Sequence, residues 1–177
     1  MRPKATVRWY RDAGARRFIA LGYLPWLAGL NLAWEIGHSP LYTLWREAEP
    51  AYIAFSIVHC TLGDVLVGGA ALLLAMILGR ERAFPYWRWG RIAVFTALLG
   101  AGYTVFSEWM NLTVLRSWTY SETMPTLDLA GIEVGVSPLA QWLVVPPLAL
   151  YLGRRIRKWS GKTPPSSPAP ADSAARR

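Results

Sequence analysis

Three long, mainly apolar runs, residues 18–38, 53–79 and 91–115, constrain this chain more than any other feature. Each is long enough to cross a hydrocarbon core of about 30 Å, which takes roughly 20 helical residues. A backbone inside lipid has to satisfy its own hydrogen bonds, so runs of this kind become helices. A fourth run, residues 138–152, is shorter. It reaches span length if its first turn begins near Val134, and Pro146 and Pro147 should kink it, which membrane helices tolerate when neighbours satisfy the freed carbonyls. The composition agrees: 53% of the 177 residues are hydrophobic, 17% are charged, and ten are tryptophan.

The basic residues test the span count independently, because lysine and arginine accumulate on cytoplasmic loops. The N-terminal segment holds Arg2, Lys4, Arg8, Arg11, Arg16 and Arg17. The loop after the second run holds Arg80, Arg82, Arg88 and Arg91, and the tail holds Arg154, Arg155, Arg157, Lys158, Lys162, Arg176 and Arg177. Only Arg46 and Arg116 lie on the other two loops, beside Glu47, Glu49, Glu122, Asp128 and Glu133. Both termini are therefore expected in the cytoplasm and the acidic loops outside, which requires an even number of spans.

The expected fold is all-α, an integral-membrane four-helix bundle of a cytoplasmic (inner) membrane. It divides into a basic cytoplasmic segment, residues 1–17, a four-span domain, residues 18–153, and a Pro-, Ser- and Ala-rich tail, residues 154–177, too poor in large apolar groups to fold. The net charge of +8 is then a matter of orientation and of contact with anionic headgroups of the bilayer, and no nucleic-acid partner is expected. The first run carries Glu35 and has no small-residue cleavage site after it, so it is expected to stay as a helix and not leave as a signal peptide. Cys60, the single cysteine, cannot form an internal disulfide.

The same topology places the buried polar groups at one depth. With 1.5 Å of rise per residue, Glu35 falls roughly 7 Å, His59 roughly 9 Å and Glu108 roughly 10 Å below the outer surface, with Asp64 deeper, at roughly 16 Å. Positions i, i+4 and i+7 share a helix face. Asn31, Glu35 and His38 form such a stripe on the first span, and Thr104, Glu108 and Asn111 form one on the third. Gln141 brings a further polar group from the fourth. Gly29, Ala33 and Gly37, on the other side of the first span, suit close approach of another helix. Asp64 is about 140° around the second helix from His59, so both reach one cavity only if it is broad.

Charges buried in a membrane cost roughly 2.5 kcal/mol or more each at the helix centre, and no buried lysine or arginine is present to offset them. The neutralisers left are protons, the histidines or a bound cation. Glu35-x-x-His38 has the spacing by which one helix of a diiron carboxylate bundle offers two ligands. With His59 and Glu108 it makes a two-imidazole, two-carboxylate set suited to a divalent transition metal such as iron, zinc or manganese. Paired axial ligation of a haem by His38 and His59 fits less well, because it leaves the acids unexplained.

Without a metal, Glu35, Glu108 and Asp64 are catalytic candidates for acid–base work on an apolar or lipid substrate, one carboxyl keeping its proton beside an imidazole. Asn31, Asn111, Gln141 and Tyr120 are candidate substrate-binding residues, and Tyr120, Glu122 and Met124 are a candidate lid over the Glu108 end. A non-enzymatic reading makes the same groups a network that holds helices, a membrane-protein partner or a second copy together in an accessory, proton-handling or transport subunit. Trp45, Trp118, Trp87 and Trp89 read as belts at the headgroup level. Nucleophile-elbow, phosphate-loop and HExxH signatures are absent, which excludes the hydrolases that carry them.

Overall fold

Asp12 starts the first helix, its carboxylate accepting from Gly14 N at 2.7 Å and Ala15 N at 3.3 Å as an N-cap. In this computed structural model the described residues are 9–81 and 84–160, backbone alone from 156 onward. Arg2, Lys4, Arg8, Arg82, Lys162, Arg176 and Arg177, with the tail beyond Ser160, lie outside them. Helix α1 (Ala13–Phe18) passes through a π-helical segment, Ile19–Tyr23, into α2 (Leu24–His38). A short turn and α3 (Leu44–Glu47) lead to α4 (Pro50–Leu78), whose proline stands in the first turn, where its missing N–H costs nothing. Helix α5 (Trp89–Trp109) ends in a second π-helical segment, Met110–Val114. A hairpin follows, β1 (Thr126–Leu129) paired antiparallel with β2 (Ile132–Gly135), and then α6 (Val136–Ser160).

The four long helices pack in a ring, α2 on α4, α4 on α5, α5 on α6 and α6 back on α2. At one end Asp12 Oδ2 accepts from Phe84 N at 3.1 Å, and the Arg154 guanidinium lies 4.4 Å from the centre of the Trp89 ring. At the other end Tyr42 and Tyr120 form an isolated β-bridge between the two acid-bearing loops. The start of α1, the loop before α5 and the Arg154 turn of α6 therefore meet at one end, and the two acid-bearing loops at the other.

Three helices, Pro50–Leu78, Trp89–Val114 and Val136–Arg155, are long and apolar enough to cross a membrane. The weak fourth run is among them, since α6 continues as one helix through Pro146 and Pro147. The first run is not. It is helical and packed in the bundle, but it carries the Asn31, Glu35 and His38 stripe, and those polar groups lower its mean hydropathy.

Apolar packing concentrates toward the basic end, where Ala15, Phe18, Tyr23, Leu27, Leu72, Met76, Ile92 and Val145 form the core. Trp87 belongs to this core and not to a headgroup belt: it is 4% exposed, and its ring meets Phe18, Phe84 and Trp89. The close crossing of small residues also falls elsewhere than expected. A Cβ on Gly153 would stand 2.9 Å from the Gly22 backbone, whereas nothing lies within 4 Å of where Gly29 or Gly37 would carry one. The expected small-residue seam on α2 thus faces open space.

Candidate functional site

Above the apolar core the bundle interior turns polar. The stripe on α2 is turned inward, with Asn31, Glu35 and His38 all buried, and Gln141 on α6 meets it at 2% exposure. The Gln141 side-chain nitrogen, Nε2, is 3.0 Å from Asn31 Oδ1, 3.2 Å from Glu35 Oε1 and 2.8 Å from Asp64 Oδ2. One amide therefore joins acceptors on α2 and α4 from a third helix. The Asp64 and Glu35 carboxyls are thereby drawn onto the same nitrogen. Beyond Glu35 the chain of contacts continues, His38 Nε2 lying 3.2 Å from Glu35 Oε1 and His38 Nδ1 3.1 Å from Ser137 Oγ. Asp64, Gln141, Glu35, His38 and Ser137 thus form one unbroken relay across α4, α6 and α2.

A second arm faces it. Glu108 on α5, buried, accepts from the Tyr120 hydroxyl, which in turn accepts from Gly135 N at 2.8 Å. Tyr42 joins the two arms, its ring centred 5.4 Å from the His38 ring and 5.6 Å from that of Tyr120. Burial first, and then the hydrogen bond to Glu108, pushes the Tyr120 phenol well above its usual range, which keeps it a proton donor at any physiological pH. Burial, followed by the charges of Glu108, Tyr120 and Glu35, does the same to Tyr42. The two outer loops are clasped over this layer by Thr43 N to Thr119 O at 3.1 Å, Ser121 N to Leu41 O at 2.9 Å, and mutually tilted Tyr42 and Tyr120 rings 5.6 Å apart.

Three expected members are not brought in. His59 lies exposed on α4, stacked on the Phe55 ring at 5.7 Å, because α4 turns its Asp64 face to the interior. Asn111 bonds back to Ser107 O at 2.8 Å on its own helix, since the π-helical segment from Met110 shifts the phase that would have aligned it with Glu108. Glu122 is exposed, while its neighbour Met124 is buried beneath the hairpin, so the lid is built from Tyr120 and Tyr42. With His59 turned away, the two-imidazole set dissolves, and among the described residues no group of three or more His, Cys, Asp or Glu side chains is arranged to hold a metal ion.

Sequence reasoning missed Ser137 and the hairpin that delivers it. The signal for the hairpin is present: Thr126 to Leu129 and Ile132 to Gly135 flank Ala130-Gly131, whose φ values of 56° and 84° suit a two-residue turn. Asp128 Oδ1 closes that turn by accepting from Gly131 N at 2.8 Å. Nothing in the sequence joined Ser137 to His38, 99 residues earlier.

Between α2 and α6 lies an open groove of about 430 Å³ lined by Leu30, Ala33, Trp34, Gly37, Leu41, Val144, Val145 and Leu148. His38 and Ser137 are its polar lining, where α2 finishes and α6 begins. The outward small residues of α2 are what leave this space open. The groove joins the polar layer to the surface that the apolar helices present.

No family model, no curated protein and no solved structure matches this chain. Its function has to be argued from the site.

Proposed function

We propose that this protein is a four-span protein of the cytoplasmic membrane whose buried relay is an acid–base site, in the outer half of the bilayer, acting on a lipid-soluble substrate. The observation that carries the reading is the pair of carboxyls, Glu35 and Asp64, drawn from two helices onto one Gln141 side-chain nitrogen. Two buried carboxyls gathered on one amide favour sharing a proton, and among the described residues the only ion pairs are His38 with Glu35 and Arg88 with Glu81, so no lysine or arginine relieves the layer. A proton held beside an imidazole, in a site that water reaches poorly, is the equipment of general acid–base catalysis. The α2–α6 groove supports an apolar substrate, because it opens on the side of the bundle that lipid would cover.

Orientation follows from the segregation of charge. A reporter fused after Arg177 is expected to read cytoplasmic and one inserted near Glu47 or Asp128 external. An external C-terminus would invert the bundle and the relay's depth, whereas an N-terminal reporter that reads external beside a cytoplasmic C-terminus would mean that the α1–α2 run does not cross.

The activity itself is tested with membrane lipids as the substrate pool. Protein reconstituted in nanodiscs with a total lipid extract should consume at least one lipid species that the Glu35→Gln protein leaves untouched, with a rate difference on the order of 100-fold or more, read by mass spectrometry. Identical lipid profiles for the two proteins, with a membrane subunit that co-purifies through the open Gly29, Ala33 and Gly37 face, would favour the accessory role instead.

A further inference from the structure

We propose that Ser137 is a nucleophile activated by His38 and Glu35, and that the site cleaves carboxylic esters of long acyl chains, the chain lying in the α2–α6 groove. This deepens the acid–base reading and rests on it. A nucleophilic serine is recognised by a base within hydrogen-bond reach and a third group that orients the base, whatever the fold. Here Ser137 Oγ is 3.1 Å from one ring nitrogen of His38, and the other is 3.2 Å from Glu35 Oε1. With Glu35 ionised the carboxylate only accepts, so Nε2 carries the hydrogen and Nδ1 accepts from the serine hydroxyl. Gln141 fixes Glu35 in turn.

A serine near a helix start ordinarily caps its own helix. Ser137 instead bonds an imidazole on a different helix, and both groups line the groove. The start of α6 also offers a donor for the oxygen that becomes negative during attack. The first N–H groups of a helix have no intrahelical acceptor. Val136 N is taken by Pro125 O at 2.8 Å and Pro138 has no N–H, which leaves that of Ser137 itself beside the hydroxyl. Trp34, which lines the groove, carries an indole N–H with no hydrogen-bond partner among the described residues. From Ser137 to Leu148 the groove follows α6 for roughly 16 Å of apolar wall, the form of an acyl chain and not of a soluble ester.

The chemistry closes on water alone. Ser137 Oγ bonds to the ester carbonyl carbon as its proton passes to His38 Nδ1. The bond from that carbon to the alcohol oxygen breaks, and the alcohol leaves with the proton from His38. Water then attacks the acyl-serine, giving one proton to His38, and the carboxylic acid departs as that proton returns to Ser137 Oγ.

The test is covalent labelling of the full chain in nanodiscs with a long-chain alkyl fluorophosphonate, the adduct located by peptide mass spectrometry. Wild-type protein should carry the adduct on Ser137. Ser137→Ala should carry none there, and His38→Gln, which keeps a hydrogen-bonding side chain but accepts no proton, should label at least about 100-fold more slowly. A methyl fluorophosphonate should label more slowly than the long-chain reagent. A monodisperse elution profile identifies variants that have kept their fold. Absence of an adduct on Ser137 in folded wild-type protein, or labelling unchanged in folded His38→Gln, overturns the nucleophile. If Glu35-dependent lipid consumption persists in that case, the acid–base reading survives without it. A His38-dependent adduct upholds the nucleophile even where no lipid of the extract is consumed.

Discussion

Gln141→Leu is expected to destabilise the bundle by about 3–5 kcal/mol, the range for removing one partner of a buried charged network. The replacement fills nearly the same volume, so the loss is electrostatic and not a cavity effect. Its amide is the donor shared by Asn31, Glu35 and Asp64, and at 2% exposure no water replaces it. Two carboxyls on different helices would be left facing each other without that donor, and α2 and α4 would be pushed apart at the polar layer while the apolar core below remained packed. Thermal unfolding in detergent, followed by tryptophan fluorescence, reads the loss. The double replacement Gln141→Leu with Asp64→Leu should cost clearly less than the two single losses added, because one unpaired carboxyl goes with its partner. Strict additivity would show that the three helices are not coupled through this amide.

The second large effect is steric. Gly100→Ala should cost about 3 kcal/mol, the upper end for overpacking a core. A Cβ there would stand 2.0 Å from Cε3 of Trp142 and 2.6 Å from Cδ2, inside the ring's own contact surface. Trp142 is 4% exposed and its indole is rigid, so α5 and α6 would have to separate. Because Trp142 follows Gln141, this separation also draws the amide away from Asp64 and Glu35. Both stability and any Glu35-dependent turnover should therefore fall together. Gly100→Ala combined with Trp142→Leu should recover much of the stability by vacating the ring. A Gly100→Ala protein that melts with the wild type would mean that the α5–α6 contact is looser than this.

The sequence showed the membrane helices and much of the polar layer, because both follow from quantities that act along one helix. Apolar length is local, and α4, α5 and α6 read correctly as long apolar helices. Position along a helix is rise per residue, so the sequence alone puts Glu35 and Glu108 at similar distances from the ends of their runs. The i, i+4, i+7 stripe of α2 was legible for the same reason: it is the one polar face on an otherwise apolar surface, and it is turned inward.

On α4 that logic had nothing to work with. The helix is apolar nearly all round, so helical phase gives the angle between His59 and Asp64 but not which of them faces the interior. A partner on another helix decides that. Gln141 offers a donor to a carboxylate, Asp64 takes it at 2.8 Å, and His59, carried to the far side, stacks on Phe55. The proposed metal set fell with that rotation. Asn111 was lost to a change of helical winding no residue pattern announced. The meeting of Ser137 with His38 likewise depends on a hairpin setting where α6 begins and on α6 packing against α2. What the chain determined by itself was which long segments are helical and how far along its helix each polar group lies, since these depend on neighbours within a turn. Which groups touch depended on the rotation and register of whole helices, which only their packing against one another specifies.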